Sequence, residues 1–454
     1  MVWEPSAMGV MVMAARHADV LPQPHSGDVP SRSWPSVALP TVVAVEGVAF
    51  AILLGLDGSA GWRVARVLAA LAVTGLAVWF IGRSGRTGQG AAALVLGIVG
   101  TVAGAGVASG HLMKAGLDAP AISAGIVLVT GLFLLVWGAV ALVRAVPGWW
   151  RLLAIPAAWM LLELVLFPLT MAVYAANVPP GPLGSATPVS YGLTYHDVAF
   201  RTADGVRLSA WYIPARNGAA VVLLPGAGST RTAVLGQAAV LARHGYGALL
   251  VDSRGHGLSS GHAMDFGWWG DRDIAAAVSF LTRQPGVRPG KIAVVGESMG
   301  GEQALSALGA DPRIRAVVAE GATGQQFADH GWRPYDIEGV LQRGMEWVQY
   351  TAAGLLSGAP RPMPITDAIR AAHRPVLIIA GGAVGGEPAA ARWFQAASPA
   401  TVQVWVVPHA GHTQGLATDP QAWETHVITF LNEVLTTGRP ECAGGVSMSS
   451  ACTP

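Results

Sequence analysis

Residues 291–301 read Lys-Ile-Ala-Val-Val-Gly-Glu-Ser-Met-Gly-Gly, and this stretch decides the fold of the second half of the chain. Its apolar residues predict a short strand that leads directly into Gly-x-Ser-x-Gly, and a helix-forming stretch follows. A sharp strand-to-helix turn of this kind raises the hydroxyl of Ser298 above the edge of a sheet. Gly296 and Gly300 let the backbone crowd together there because they carry no Cβ. The stretch therefore predicts an exposed serine at a tight turn.

The first half of the chain has a different composition. Charged residues make up 12% of the whole chain, which is about half the share in a soluble globular domain. The excess of apolar residues lies within residues 38–176, in five runs that are each close to the roughly 20 residues a helix needs to cross a bilayer. We therefore expect transmembrane helices at about 38–56, 64–81, 91–109, 121–143 and 152–175.

Two acidic residues interrupt these runs. Glu46 lies near the middle of the first run, so this run either packs its acid against a neighbouring helix or lies at the membrane interface. The transmembrane region accordingly has four or five helices. Glu163 raises the same question in the fifth run. An acid inside a membrane is either a functional group or one that is paired between helices, and the sequence leaves both readings open.

Arginine residues in the links between the runs predict the orientation of the chain. Arg83 and Arg86 follow the second run, and Arg144 and Arg151 follow the fourth, whereas residues 177–200 contain no Lys or Arg. Basic links favour the cytoplasm, so we expect the chain after the fifth run to be extracytoplasmic. Arg far outnumbers Lys, as in bacteria with G- and C-rich genomes, and we expect an integral protein of a bacterial plasma membrane.

The flanking segments have compositions of their own. Residues 1–37 lack the pattern of a cleaved signal peptide and predict a flexible tail, residues 177–192 form a breaker-rich linker, and residues 437–454 predict a disordered tail. Cys442 and Cys452 both lie in that last tail, either as a disulfide or as two free thiols. No Cys/His spacing resembles a metal site, and the net charge of +1 leaves no nucleic-acid footprint. We expect no metal, cofactor or nucleic-acid partner.

Residues 193–436 alternate short apolar strands with helical stretches. This alternation is typical of an α/β domain in which a mostly parallel sheet is covered by helices on both faces. The predicted strands are 193–201, 206–214, 219–224, 248–252, 292–295, 315–319, 375–380 and 402–407.

Four motifs follow predicted strands in a fixed order. They are Leu224-Pro-Gly-Ala-Gly-Ser229, Asp252-Ser-Arg-Gly-His-Gly-Leu-Ser259, Gly296-Glu-Ser-Met-Gly300 and His409-Ala-Gly-His412. With these motifs, residues 193–436 resemble the α/β-hydrolase superfamily, in its serine esterase or peptidase branch. The resemblance implies an α/β-hydrolase fold after the all-α membrane region.

The resemblance also implies a catalytic triad. Ser298 is the candidate nucleophile, and a serine hydroxyl needs a base within hydrogen-bond reach. His412 is the candidate base, because it lies C-terminal to the serine and follows a glycine, as in the family order Ser, acid, His. His409 is the local rival.

The acid of the triad is open at this point. Family members usually carry Asp a few residues after the strand ending near residue 380, where this chain has Val384. Glu387 is the only acid in that loop and is our first candidate. Glu320, after the preceding strand, is the alternative, and a site without an acid is the third reading. The acid orients the imidazole, so its loss impairs the reaction without changing its type.

An oxyanion hole needs two backbone N–H donors. Met299, which follows the nucleophile, is expected to supply one, and Ala227 in the loop after the third strand is expected to supply the other. Residues 322–370 form a long insertion where relatives carry a cap. Its apolar residues fall at helical spacing, so it either covers an acyl pocket or packs on the core.

These residues predict a membrane-anchored serine hydrolase. The substrate would be a small-molecule or lipid-like carboxylic ester, cleaved through an acyl-enzyme. A serine peptidase or an acyltransferase would use the same residues. A third reading is a catalytically inactive hydrolase-like binding module on a membrane protein.

Overall fold

The computed structural model describes residues 34–435, with side chains from residue 38 onward. The predicted C-terminal tail 437–454, with both cysteines, and nearly all of the predicted N-terminal tail 1–37 lie outside the described residues. What is described comprises a group of long apolar helices followed by one large sheet with helices on both faces.

The N-terminal half consists of five helical segments long and apolar enough to cross a membrane, including the run that carries Glu46. Within the fifth segment, Pro168 has no N–H to donate to the carbonyl four residues earlier, and a π-helical turn, Leu162–Leu166, precedes it. The helices are α1 Trp34–Gly55, α2 Ala60–Arg83, α3 Arg86–Lys114, α4 Ala119–Ala145, and, in the fifth segment, α5 Ala154–Leu161 and α6 Phe167–Asn177.

Helices α3 and α4 touch through their backbones. A Cβ added to Gly97 would lie 2.2 Å from the nitrogen of Leu135, and one added to Gly131 would lie 2.6 Å from the carbonyl carbon of Gly100. Small residues that bring helix backbones together in this way are typical of helix pairs in membranes. This pair forms the centre of the apolar half.

The second half is built on an eight-stranded sheet in the order β1-β2-β4-β3-β5-β6-β7-β8. Strand β2 runs antiparallel to both of its neighbours, and all other neighbouring pairs are parallel. The strands are β1 His196–Arg201, β2 Arg207–Ile213, β3 Ala220–Leu224, β4 Gly247–Asp252, β5 Ile292–Glu297, β6 Ile314–Glu320, β7 Val376–Gly381 and β8 Val402–Val407.

Helices cover both faces of this sheet. The helices of this half are α7 Leu235–Arg243, α8 Gly270–Leu281, α9 Met299–Ala310, α10 Ile337–Leu356, α11 Ile365–Ala372, α12 Glu387–Ala397, α13 Gly415–Thr418 and α14 Pro420–Leu435. Among them, α10 packs against α6 of the apolar helices. Each predicted strand overlaps an observed one. The mostly parallel sheet covered by helices, with apolar helices before it, confirms the predicted fold class.

The core consists of two apolar layers, one on each face of the sheet. Alternate residues of β3 face opposite layers: Val222 and Leu224 pack with α8 and α9, whereas Val221 and Leu223 pack with α7 and α14. All four side chains are essentially inaccessible to solvent. Because strands β3 to β8 run parallel, they end at one common edge of the sheet, where the loops that carry polar residues meet.

The apolar helices contact the sheet domain at this same edge. Lys114, the last residue of α3, donates from Nζ to the carbonyl oxygen of Gly228 at 2.7 Å. Ala175 and Val178, at the end of α6, pack in one cluster with Met299. Because α3 begins at Arg86 and ends at this contact, the Arg-bearing links lie at the opposite ends of the helices.

Candidate active site

Ser298 lies on a strained turn between β5 and α9. Its φ of 50° and ψ of −120° are outside the regions that L-residues favour, and its N–H donates to the carbonyl of Glu320 at 2.7 Å. A Cβ on Gly296 would lie 2.2 Å from the carbonyl oxygen of Gly300, and one on Gly300 would lie 2.5 Å from that of Leu224. The turn therefore requires glycine at both positions, as the motif predicts.

The structure brings the three first-choice residues of the predicted triad together. His412 Nε2 lies 2.8 Å from Ser298 Oγ, and His412 Nδ1 lies 2.6 Å from Glu387 Oε1. Glu387 begins α12 and is 1% exposed, whereas the side chain of His412 is 50% exposed. The second carboxylate oxygen of Glu387 accepts from the N–H of Gly381 at 2.7 Å. The carboxylate is thus held from both sides.

The two rival residues lie elsewhere. His409 is exposed, with a φ of 62°, and its side chain has no hydrogen bond among the described residues. Glu320 accepts from the N–H of Gly415 at 2.7 Å and from the indole N–H of Trp423 at 3.0 Å. The hydrogen bonds of Glu320 are therefore used to fasten α13 and α14 to the end of β6.

The electrostatic environment favours the charged form of the His412 imidazole. The hydrogen bond to Glu387 raises the pKa of His412, and the negative charges of Glu387, Glu302 and Glu320 act in the same direction against the effect of burial. An imidazole that is stabilised as a cation, next to a serine hydroxyl, can accept the hydroxyl proton as a new bond forms.

The two predicted oxyanion donors border the same space as Ser298. Met299 is the first residue of α9, where amides have no intrahelical acceptor. Ala227 lies in the loop after β3. The next residue of this loop, Gly228, has a φ of 66°. The N–H of Gly228 donates to His256 Nε2 at 3.1 Å, while His256 Nδ1 lies 2.9 Å from the carbonyl of Arg254.

His256 therefore acts as a neutral acceptor that holds the loop. Burial lowers its pKa, and a ring whose Nδ1–H donates to a carbonyl has a free lone pair on Nε2. Sequence reasoning gave no role at the site to Lys114 or His256. The signal for His256 was its place in the Asp-x-Arg-Gly-x-Gly turn, but nothing in the sequence points to Lys114.

Two cavities meet at Ser298. The larger, of about 660 Å³, is lined by polar and small residues, including Tyr191 from the linker. The smaller, of about 150 Å³, is mainly apolar and includes Tyr350 of α10 in its lining. The larger is lined by Tyr191, Gly226, Ala227, Ser229, Ala233, Gly236, Gln237, Glu297, Ser298, His412, Thr413, Leu416 and Ala417, and the smaller by Ala227, Met264, Phe266, Ser298, Met299, Glu302, Gly324, Gln325 and Tyr350.

Two glutamates at these cavities were not predicted as site residues. Burial, with a contribution from Glu320, raises the pKa of Glu297 to about 8, and Gln237 donates to its carboxyl group. Burial also raises the pKa of Glu302 to about 7. Glu297 precedes the nucleophile in the motif, so its position was visible in the sequence, but its burial was not.

The insertion 322–370 contacts both the apolar helices and the smaller cavity. Its helix α10 packs Ala352 and Ala353 against Ala172 of α6. Tyr350, on the same helix, lines the smaller cavity beside Ser298. Within residues 34–435, no group of three or more His, Cys, Asp or Glu side chains is placed to hold a metal ion.

Known proteins resemble this chain in sequence and in fold. The family described as serine aminopeptidase, S33, matches residues 215–359. These residues include part of the sheet and the turn that carries Ser298. The second half of this chain has the α/β-hydrolase fold.

Several proteins are similar to part of this chain. An uncharacterized protein of Mycobacterium tuberculosis is 29% identical over 263 residues, which are 57% of this chain and 86% of the relative. A polyketide transferase of Stachybotrys chlorohalonatus is 38% identical over 136 residues, 28% of this chain and 44% of the relative. An esterase of Pyrococcus furiosus is 26% identical, with a TM-score of 0.48 over 57% of this chain and 97% of that structure.

Proposed function

We propose that the protein is a membrane-anchored serine hydrolase that cleaves a carboxylic ester through an acyl-enzyme. The observation that carries the proposal is the continuous hydrogen-bonded series from Ser298 Oγ through His412 to Glu387. The serine stands on a strained turn at the opening of two cavities. Strain of this kind is retained at functional sites because it presents a reactive group.

The mechanism follows from the direction of these contacts. His412 Nε2 takes the proton of Ser298 as Oγ attacks the ester carbonyl, and Glu387 stabilises the imidazolium through Nδ1–H. The N–H groups of Met299 and Ala227 bind the oxygen that becomes negative. His412 then protonates the leaving alcohol, and the same base activates the water that releases the acid.

We further propose that the apolar helices cross the plasma membrane of a bacterium and that the α/β-hydrolase domain is extracytoplasmic. The length and composition of five helices support insertion. The Arg-bearing links support the orientation, because they lie at the ends of the helices that face away from the hydrolase domain. Protease accessibility of the C-terminus in intact cells tests the orientation, and protection there would reverse it.

Labelling with a fluorophosphonate probe tests the chemistry. The full-length protein in detergent should become labelled, whereas Ser298→Ala should not, and His412→Ala should label far more slowly. Equal labelling of the wild type and Ser298→Ala would refute the proposed nucleophile. A folded wild-type protein that neither labels nor hydrolyses esters would favour the alternative of an inactive binding module.

Acyl transfer is a second candidate, favoured by the relative that is named a polyketide transferase. The same acyl-enzyme would pass its acyl group to an alcohol or amine in place of water. The larger cavity gives such an acceptor room beside Ser298. Turnover of an aryl ester with and without an added alcohol separates the two, because a transferase forms a new ester whereas a hydrolase forms only acid. The family description also leaves peptidase activity as an alternative, and turnover of an aminoacyl anilide would reveal that activity.

A further inference from the structure

A large chamber separates the apolar helices from the α/β-hydrolase domain. Its volume is about 940 Å³, at the upper end of the range for small-molecule sites. One wall comes from α1, α3 and α6, with apolar side chains such as Leu53 and Val107. The opposite wall comes from the hydrolase domain and includes Ala263, Leu356 and Gly358.

The chamber continues into the helices. A second, mainly apolar cavity of about 300 Å³ lies between α1, α2 and α3 and shares Phe50, Leu54, Arg66 and Val99 with the chamber. Glu46 lies along this second cavity, nine residues or roughly 13 Å of helix from the outer end of α1. The two cavities together form an elongated apolar space that reaches from the hydrolase domain toward the middle of the helices.

Two buried polar atoms in this space have no partner. Oε1 of Glu46 and Nε of Arg66 lack a hydrogen bond within residues 34–435, although Glu46 is buried. Buried polar groups are nearly always satisfied. A carboxyl oxygen and an N–H donor along one apolar space can each bind a hydroxyl group of a ligand, because a hydroxyl donates to the carboxyl oxygen or accepts from the N–H.

Several charged groups of the chamber form ion pairs. Asp57 pairs with His262, and Arg254 is held by Asp204 and Asp273. Arg66 donates to the carbonyl of Asp57, and Asp265 accepts from the indole N–H of Trp269, so these two charged groups also have polar partners already. The chemistry of the chamber fits an uncharged amphiphile with a long chain.

One segment separates the chamber from the nucleophile. Ala263 and Asp265 line the chamber, whereas Met264 and Phe266 line the small cavity at Ser298. Asp265 and Phe266 have φ values of 46° and 50°, a left-handed backbone that residues other than glycine adopt rarely and that is often found at functional sites. Residues 263–266 therefore form a strained wall between the chamber and the small cavity at Ser298.

We propose that this chamber binds the acyl chain of a neutral long-chain lipid ester and presents its ester group to Ser298 past residues 263–266. The inference rests on the proposed hydrolase function and specifies its substrate class. The substrate would thus come from the bilayer side of the protein and not from the aqueous opening beside Tyr191.

Filling the chamber from each wall tests this. Gly358→Trp acts from the hydrolase wall, where a Cβ would meet nothing within 4 Å, and Ala103→Trp acts from α3. Gly61→Trp is the matched control, because Gly61 also has open space around it but does not line the chamber. The full-length proteins in detergent would be assayed with p-nitrophenyl palmitate and p-nitrophenyl butyrate.

We expect each chamber variant to lower kcat/KM for the palmitate at least tenfold, with butyrate turnover and fluorophosphonate labelling within twofold of wild type. The control should change neither. Unchanged palmitate turnover in a folded Gly358→Trp protein would overturn the inference, as would an equal loss on both esters with normal labelling. Absence of labelling and of turnover in the wild type would instead refute the proposed function itself.

Discussion

Replacing Glu387 by Gln is the sharpest test of the site. The N–H of Gly381 is buried and donates to Oε2 of Glu387 at 2.7 Å, so the amide oxygen of the new side chain must remain on that side. The amide NH₂ group then faces His412 Nδ1, which accepts from it. The imidazole proton consequently moves to Nε2, the atom that must accept the proton of Ser298.

The expected loss of kcat follows from this change of tautomer. An amide in place of the orienting acid of a serine protease lowers kcat about 10⁴-fold, and a tenfold change corresponds to about 1.36 kcal/mol, so the barrier should rise by about 5.4 kcal/mol. We expect kcat for an aryl ester to fall by about 10³ to 10⁴, with KM changed far less because the acid does not touch the substrate.

Glu320→Gln is the control. Both carboxylate oxygens of Glu320 accept from N–H donors, on Gly415 and Trp423, so one donor would lose its acceptor at a cost of about 1–3 kcal/mol of stability. This variant should melt at a lower temperature yet keep kcat within tenfold of wild type. The reasoning is refuted if Glu387→Gln keeps kcat within tenfold, or if a folded Glu320→Gln loses as much activity.

The remaining predictions concern pH, the serine turn and the oxyanion loop. Because Glu387 raises the pKa of His412 and the base must be neutral to act, kcat/KM should fall as the pH decreases through a value above the usual 6.5, and a pH profile with its acid limb below 6 would contradict this. Gly300→Ala should cost about 1–3 kcal/mol of stability and abolish probe labelling, since its Cβ would meet two backbone oxygens at 2.5 and 2.7 Å; Gly385→Ala, with open space, should melt and label as wild type. Lys114→Met removes a charged hydrogen bond to the loop after β3, and bonds of this kind are typically worth about 1.5–3 kcal/mol. We therefore expect kcat to fall about tenfold and to recover in part with Lys114→Arg. A change in KM alone would argue against this positioning role.

Local sequence was sufficient for the serine turn and for most of the sheet. The period of the apolar residues changes from long runs to short strands near residue 193, and motifs at strand ends recur in order. Glycine at positions 296 and 300 was predictable because a Cβ there meets backbone, whatever the surrounding side chains are. Short-range steric requirements of this kind are recorded in the sequence itself.

The acid partner of His412 required the tertiary structure. Glu387 and Glu320 follow neighbouring strands of the sheet, and both were reasonable candidates. The side chain that reaches the imidazole depends on the path of the loop after β7, where Glu387 begins α12 and turns back to the N–H of Gly381. Loop paths depend on long-range packing, which a motif does not encode.

An apolar helical region before an α/β domain with a serine at a strand-to-helix turn was predictable from residue patterns alone, because hydrophobic periodicity and glycine sterics act over a few residues. The contact between Lys114 and Gly228, which are 114 positions apart, could be seen only in the folded chain. The chamber that separates the two halves likewise exists only in the folded chain. Both depend on how the ends of α3 and α6 lie against the sheet, and contacts between distant segments leave no periodic trace in a single sequence.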